Sequence, residues 1–197
     1  MQPKFSTLVF LTLVCALLIL PFALSPIYLE ALRERSVELH GLIRGELYKQ
    51  STGYVALGLV LAELLLALRK RGRTWIGKIK LPGSILFWRC MHIFLGVGLI
   101  AVVVVHTVGA QGLNFNALFL WIFFAVTLSA LVGVVAETGV LESPRKFFNF
   151  PGQKEMTITK GPLIRGMRAV WLPTHIFLVS VFTIMLGIHI FLAYYYQ

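Results

Sequence analysis

Residues 90–108 read CMHIFLGVGLIAVVVVHTV, with no charged side chain and two histidines, His92 and His106, set 14 residues apart. A run of this length and composition calls for a helix that crosses a bilayer. Fourteen residues is just under four helical turns, so both imidazoles fall on one helix face, about 21 Å apart along the axis. The pattern recurs 83 residues later. His175 and His189 are again 14 apart, inside a charge-free segment from Ala169 to Gln197.

Outward from this stretch the charge-free run continues from Cys90 to Ala136. Hydrophobic residues make up 58% of the chain and charged ones 13%, which is not the profile of a soluble globular domain. The reading is an all-α integral membrane protein, a single membrane domain with most of its 197 residues used in crossing the bilayer. No room remains among them for a separate soluble catalytic domain.

Five transmembrane helices are expected. The first covers about 5–29, with Pro21 and Pro26 bending or ending its outer part. The second is about 52–68. The third, about 84–108, follows Pro82-Gly83 with Ser84 as its N-cap. Gly109-Ala110-Gln111-Gly112 turns into the fourth, about 113–136, and the fifth is about 169–195. The first run is long for a signal peptide, and Pro26 directly follows Ala23-Leu24-Ser25, its small-residue candidate cleavage site, so it reads as a retained helix. Cys15 and Cys90 are single residues in neither a CxxC nor a CxxCH motif, which excludes covalent c-type haem and cysteine-rich clusters.

The net charge of +10 is segregated. Arg69, Lys70, Arg71, Arg73, Lys78, Lys80 and Arg89 cluster before the third span with no acid among them. Arg145, Lys146, Lys154, Lys160, Arg165 and Arg168 precede the fifth span against Glu137, Glu142 and Glu155. The segment after the first span is balanced. By the positive-inside rule the N-terminus and both basic segments are inside and the C-terminus outside. The setting this suggests is a bacterial cytoplasmic membrane. The basic stretches then act as topology signals and candidate lipid contacts rather than a nucleic-acid surface.

The third and fifth spans consequently run in the same direction. His92 comes level with His175 near the inner face, and His106 with His189 near the outer. For any one of these histidines the plain alternative is a hydrogen-bonded residue that helps helices pack. Intramembrane ionisable residues are costly and usually functional, and packing does not require a same-face spacing repeated twice. A compact metal site is excluded, because histidines about 21 Å apart on one helix cannot share an ion. Bis-histidine haem b explains the pattern. It makes His92, His106, His175 and His189 the iron ligands, with residues 84–195 forming the haem-binding core. Gly96, Gly98, Gly109 and Gly187 accompany the ligands and admit two readings, room for a flat macrocycle or close helix contact.

The doubled His-x13-His pattern, its placement on alternate spans and the basic loop before the first ligand helix resemble the di-haem membrane cytochromes b. The arrangement on spans three and five is similar to the ferric-reductase-like transmembrane domain. The twin spacing also resembles the haem-bearing half of the cytochrome b of quinol–cytochrome c reductases. The resemblance covers about 69–197 and implies two haems b, held by His92/His175 on the cytoplasmic side and His106/His189 on the outer side. The nicotinamide and flavin domain of ferric reductases is absent here, as is their sixth span. So is the Pro-Glu-Trp-Tyr motif of a quinol-oxidation site.

Arg89, three residues before His92, and Arg168, before His175, are candidate partners of the anionic haem propionates, with positive-inside anchoring as the alternative. Glu63, a carboxylate inside the second span, reads as a proton relay to a quinone, as a neighbour's hydrogen-bond partner or as a carboxyl kept protonated by desolvation. His40 sits in an outer segment, about 30–49, expected to hold a short amphipathic helix. Residues 147–161 read as an irregular loop.

The expectation is an electron-transfer subunit carrying electrons across the membrane between quinone or partner cytochromes in a larger redox complex. The competing expectation is a haem-free transporter or assembly subunit whose histidines relay protons or pack helices.

Overall fold

The computed structural model describes residues 3–75, 82–109, 113–150 and 153–195, with side chains left aside at 66–75, 149–150 and 153–156. Lys78, Lys80, the Ala110-Gln111-Gly112 turn and Pro151-Gly152 lie outside the described residues. The elements run α1 (Phe5–Ala23), α2 (Ser25–Arg35), α3 (Val37–Arg44), α4 (Glu46–Trp75), α5 (Ile85–Thr107), α6 (Phe115–Glu142), β1 (Phe147–Phe150), β2 (Gln153–Thr159) and α7 (Lys160–Tyr195). Among the described residues, α1, α5, α6 and α7 are long and apolar enough to cross a membrane. Their outward faces are apolar as well: Leu17 is 67% exposed, Phe177 67% and Ile184 66%. Contiguous exposed hydrophobics of this kind need lipid or protein cover. The chain is a multi-pass membrane protein.

Proline and serine punctuate the N-terminal third. The helix expected over about 5–29 ends at Ala23, where Leu24 leaves helical geometry and Pro26 enters the first turn of α2. Proline is tolerated there because that N–H has no intrahelical acceptor. The segment expected to hold one short helix contains two, α2 and α3, parted at Ser36, whose φ of −149° and ψ of 81° leave helical geometry.

The chain divides into two compact units. In the first, residues 14–114, α4 packs against α5, and the contacts Thr52–His106 and Glu63–His92 show that the two run antiparallel. Val60 on α4 and Ile93, Leu99 and Ile100 on α5 are buried. Helix α5 begins as expected, Ser84 accepting a hydrogen bond from the Phe87 N–H at 3.1 Å. It ends on Val108 with φ +61°, a left-handed conformation a β-branched residue rarely adopts. The Tyr28 hydroxyl donates to the Val108 carbonyl. Gly109 follows, and a Cβ there would stand 2.6 Å from the Tyr28 oxygen, so this glycine serves close packing against α2.

In the second unit, residues 4–13 and 115–197, α6 and α7 form an antiparallel pair fixed by Asn116–His189, Ser129–His175 and Glu137–Arg168. Phe123 and Phe124 are buried, and Phe182 of α7 stacks on Phe119 with ring centroids 5.3 Å apart and lies 5.7 Å from the Phe123 ring. Trp171 lies over Gly133, where a Cβ would fall 2.4 Å from the indole. Two expectations are corrected here. Residues 147–159 form an antiparallel hairpin, pairing Phe147 with Thr159 and Phe148 with Ile158, and not an irregular loop. Helix α7 starts at Lys160, well before Ala169. Pro162 sits in its first turn, and the Lys160 ammonium donates to the Leu141 carbonyl at 3.1 Å and the Ser143 carbonyl, closing the C-terminus of α6.

Candidate functional site: four histidines with fixed tautomers

His92 and His106 stand on α5, and His175 and His189 on α7. All four are partly buried. Each presents its Nδ1 to a side-chain oxygen on the helix that precedes its own. His92 Nδ1 faces the Glu63 carboxylate. His106 Nδ1 lies 2.9 Å from Thr52 Oγ1, His175 Nδ1 3.1 Å from Ser129 Oγ, and His189 Nδ1 3.1 Å from Asn116 Oδ1.

The direction of each hydrogen bond follows from the proton inventory. The Thr52 hydroxyl already donates to the Tyr48 carbonyl at 2.7 Å, and the Ser129 hydroxyl to the Val126 carbonyl at 2.7 Å. With that one proton spent, each oxygen can only accept from the imidazole. A carboxylate and an amide oxygen also accept. His106 and His175 are therefore Nδ1–H tautomers with the lone pair on Nε2, and the Asn116 oxygen and Glu63 carboxyl group favour a proton on Nδ1 of His189 and His92 as well. An imidazole that donates from Nδ1 to a fixed acceptor is oriented, and its other nitrogen is made more basic, as happens around metal-ligating histidines.

Packing reinforces the orientation. A Cβ on Gly53 would stand 3.3 Å from His106 Cε1, a tight contact, so the glycine eases the close approach of α4 to the ring. The Phe119 ring sits 5.2 Å from the His189 ring, tilted by 30°. Pro173 lies two residues before His175 inside α7, where it removes one backbone hydrogen bond. Around Gly98 and Gly187 nothing lies within 4 Å of where a Cβ would be, and Gly96 has only Glu63 Oε1 at 3.8 Å.

Compared with protein families, curated proteins and solved structures, the chain matches none.

Among the described residues no three His, Cys, Asp or Glu side chains gather into a cage for a bare metal ion. What the chain offers instead is single imidazole donors, each preset. This donor set fits a cofactor that carries its own equatorial ligands. Arg89 lies half-buried in the first two turns of α5. Arg168 is engaged by Glu137, through Nε at 3.0 Å and Nη2 at 2.5 Å. Glu63 was legible as a candidate for chemistry, but Thr52, Gly53, Ser129 and Asn116 were not.

At the far end of α5 the Lys49 ammonium donates to the His106 carbonyl at 2.6 Å and reaches the Thr107 carbonyl at 3.4 Å. The Tyr48 hydroxyl donates to the Val105 carbonyl at 2.6 Å. These are terminal carbonyls with no intrahelical donor, at the negative end of the helix dipole. Burial, and then the nearby Arg44 guanidinium, hold the Lys49 ammonium below its ordinary range.

Proposed function

We propose that the chain is a di-haem b cytochrome subunit that carries electrons across the membrane. The observation that supports it is that all four histidines turn Nδ1 to a side-chain oxygen of the preceding helix, which leaves Nε2 as the available donor nitrogen on both members of each 14-residue pair. Packing histidines have no reason to share one orientation. Axial ligands of an iron porphyrin do.

His92, His106, His175 and His189 would hold the haems, which when bound would supply a one-electron iron couple. The chain's own part is to place donors at two depths of the bilayer, along a rise of about 21 Å on a single helix. By the repeated spacing and the positive-inside rule, His92 would share a haem with His175 and His106 with His189. Thr52, Glu63, Asn116 and Ser129 hold the rings, and the apolar helix walls keep water away. Helix α4 serves in this reading as the second of five spans, about 52–68, with the N-terminus inside and the C-terminus outside. Arg89 faces propionates at the inner end, joined by whatever part of Arg168 the Glu137 pair leaves available. Quinone or partner cytochromes exchange electrons with the two ends.

A proton-relay subunit without haem would use the Glu63–His92 pair. It would have no use for neutral hydroxyl and amide acceptors at the other three histidines. Pyridine-haemochrome analysis of the purified chain tests the proposal: two haems b per chain are expected, and none would sink it. His92→Ala and His175→Ala should deplete one haem, and His106→Ala and His189→Ala the other. If His92→Ala and His189→Ala deplete the same haem, the parallel topology is wrong.

A further inference from the structure

The four acceptors are not equivalent. Three are neutral: the Thr52 and Ser129 hydroxyls and the Asn116 amide oxygen. The fourth is the Glu63 carboxyl group on His92, the inner ligand of α5. At the other end of the same helix, the outer ligand His106 carries the opposite sign, with the Lys49 ammonium on its backbone carbonyl at 2.6 Å. Both charged groups belong to α4, 14 residues apart, and each contacts a different histidine of α5.

A carboxylate is a stronger acceptor than a hydroxyl or an amide. It draws the Nδ1 proton, pushes electron density onto Nε2 and favours a more positive metal. A cation beside a ligand does the reverse and favours the extra electron. Arg89, three residues before His92, opposes the Glu63 effect. It acts from the helix start, whereas Glu63 touches the imidazole itself.

We infer that α4 imposes a redox polarity on α5, making the His92 end the harder to reduce and the His106 end the easier, so that electrons run from the inner side outward. The inference rests on the di-haem reading and adds to it a direction of flow. Glu63 and Lys49 are positioning residues in this scheme, acting through the histidines they touch. The direction also fits a membrane whose inside is negative, since an electron moving outward goes down that potential.

The test is spectroelectrochemical titration of the purified, haem-loaded chain at one pH, with the two haems assigned from the histidine variants. In the wild type the haem lost in His92→Ala should have the lower midpoint. Glu63→Gln keeps an oxygen acceptor and removes the charge. It should favour reduction of that haem about tenfold, or about 59 mV for one electron, and leave the other haem in place. Glu63→Asp should restore most of the difference. Lys49→Gln should lower the midpoint of the haem lost in His106→Ala. Lys49→Gln and Glu63→Asp keep the test open if Glu63→Gln assembles poorly.

Two haems whose midpoints stay put in Glu63→Gln and Lys49→Gln overturn the polarity alone. So do two haems whose wild-type order is the reverse. A wild-type chain with no haem overturns the di-haem reading and the polarity together.

Discussion

Glu137, 1% exposed on α6, accepts two hydrogen bonds from the Arg168 guanidinium on α7, making a bidentate pair within the antiparallel hairpin. The geometry is the fork-to-fork arrangement that gives an arginine–carboxylate contact its specificity. The charges are unequally placed, since the Arg168 side chain is half exposed and is screened accordingly.

That asymmetry sets the first prediction. Arg168→Met leaves the buried Glu137 carboxyl without this donor and should cost about 1–3 kcal/mol of stability in detergent. Glu137→Leu with Arg168→Met should recover most of the loss, because replacing both partners with apolar groups removes the unsatisfied one. Unfolding midpoints of both single variants and the double variant form the cycle that checks it. A double variant no more stable than Arg168→Met alone would refute the account.

Gly133 predicts a steric penalty. A methyl group there collides with Trp171, so Gly133→Ala should destabilise the α6–α7 hairpin by about 1–3 kcal/mol and shift the tryptophan emission. Trp171→Ala in the same chain should relieve the clash. The two rings Trp171 and His175 are 6.3 Å apart, so haem content should fall with the single glycine variant.

Removing a tautomer-setting acceptor should loosen the imidazole without touching the ligand. Thr52→Val and Ser129→Ala keep the helices apolar and delete the oxygens opposite His106 and His175. Cofactor affinity should drop by about 10- to 100-fold, read as the concentration of haem needed to reconstitute each variant. Unchanged affinity in both would remove the support that the shared Nδ1 orientation lends to the haem proposal.

Lys49 gives a pH dependence whose sign can be worked out. Its folded-state pKa lies below the ordinary 10.5, so between the two values the unfolded chain holds a proton that the folded chain has released. Stability should rise with pH across that window, and below it the full cost of charging a buried ammonium is present. Denaturation midpoints of the wild type minus those of Lys49→Gln, followed from neutral pH to about 10.5, should therefore increase. A flat or falling difference would refute the burial argument.

How far the sequence could be read depended on the scale of the physics involved. The membrane helices α5 and α6 were legible because charge-free runs leave the backbone no alternative in a bilayer. Ser84 was legible as a cap because its side chain acts within one turn. The start of α7 was hidden by Lys160, Arg165 and Arg168, which look like a loop by charge although Pro162 suits a first helical turn. The β1–β2 hairpin turns at residues 151–152 and its pairing shifts at Asn149/Phe150, so its alternation is short and broken. Thr52 and Ser129 were illegible for a different reason. A hydroxyl in a helix ordinarily bonds its own preceding turn, as both of these do, and only the register of the neighbouring helix shows that the remaining lone pair faces an imidazole.

Each histidine is oriented by a partner on the adjacent helix of its own hairpin, His92 and His106 by α4 and His175 and His189 by α6. The conformational entropy of the rings is thus surrendered when neighbouring spans pair, soon after both have entered the membrane. On the di-haem proposal, a haem arriving afterwards would meet imidazoles already aimed by these contacts.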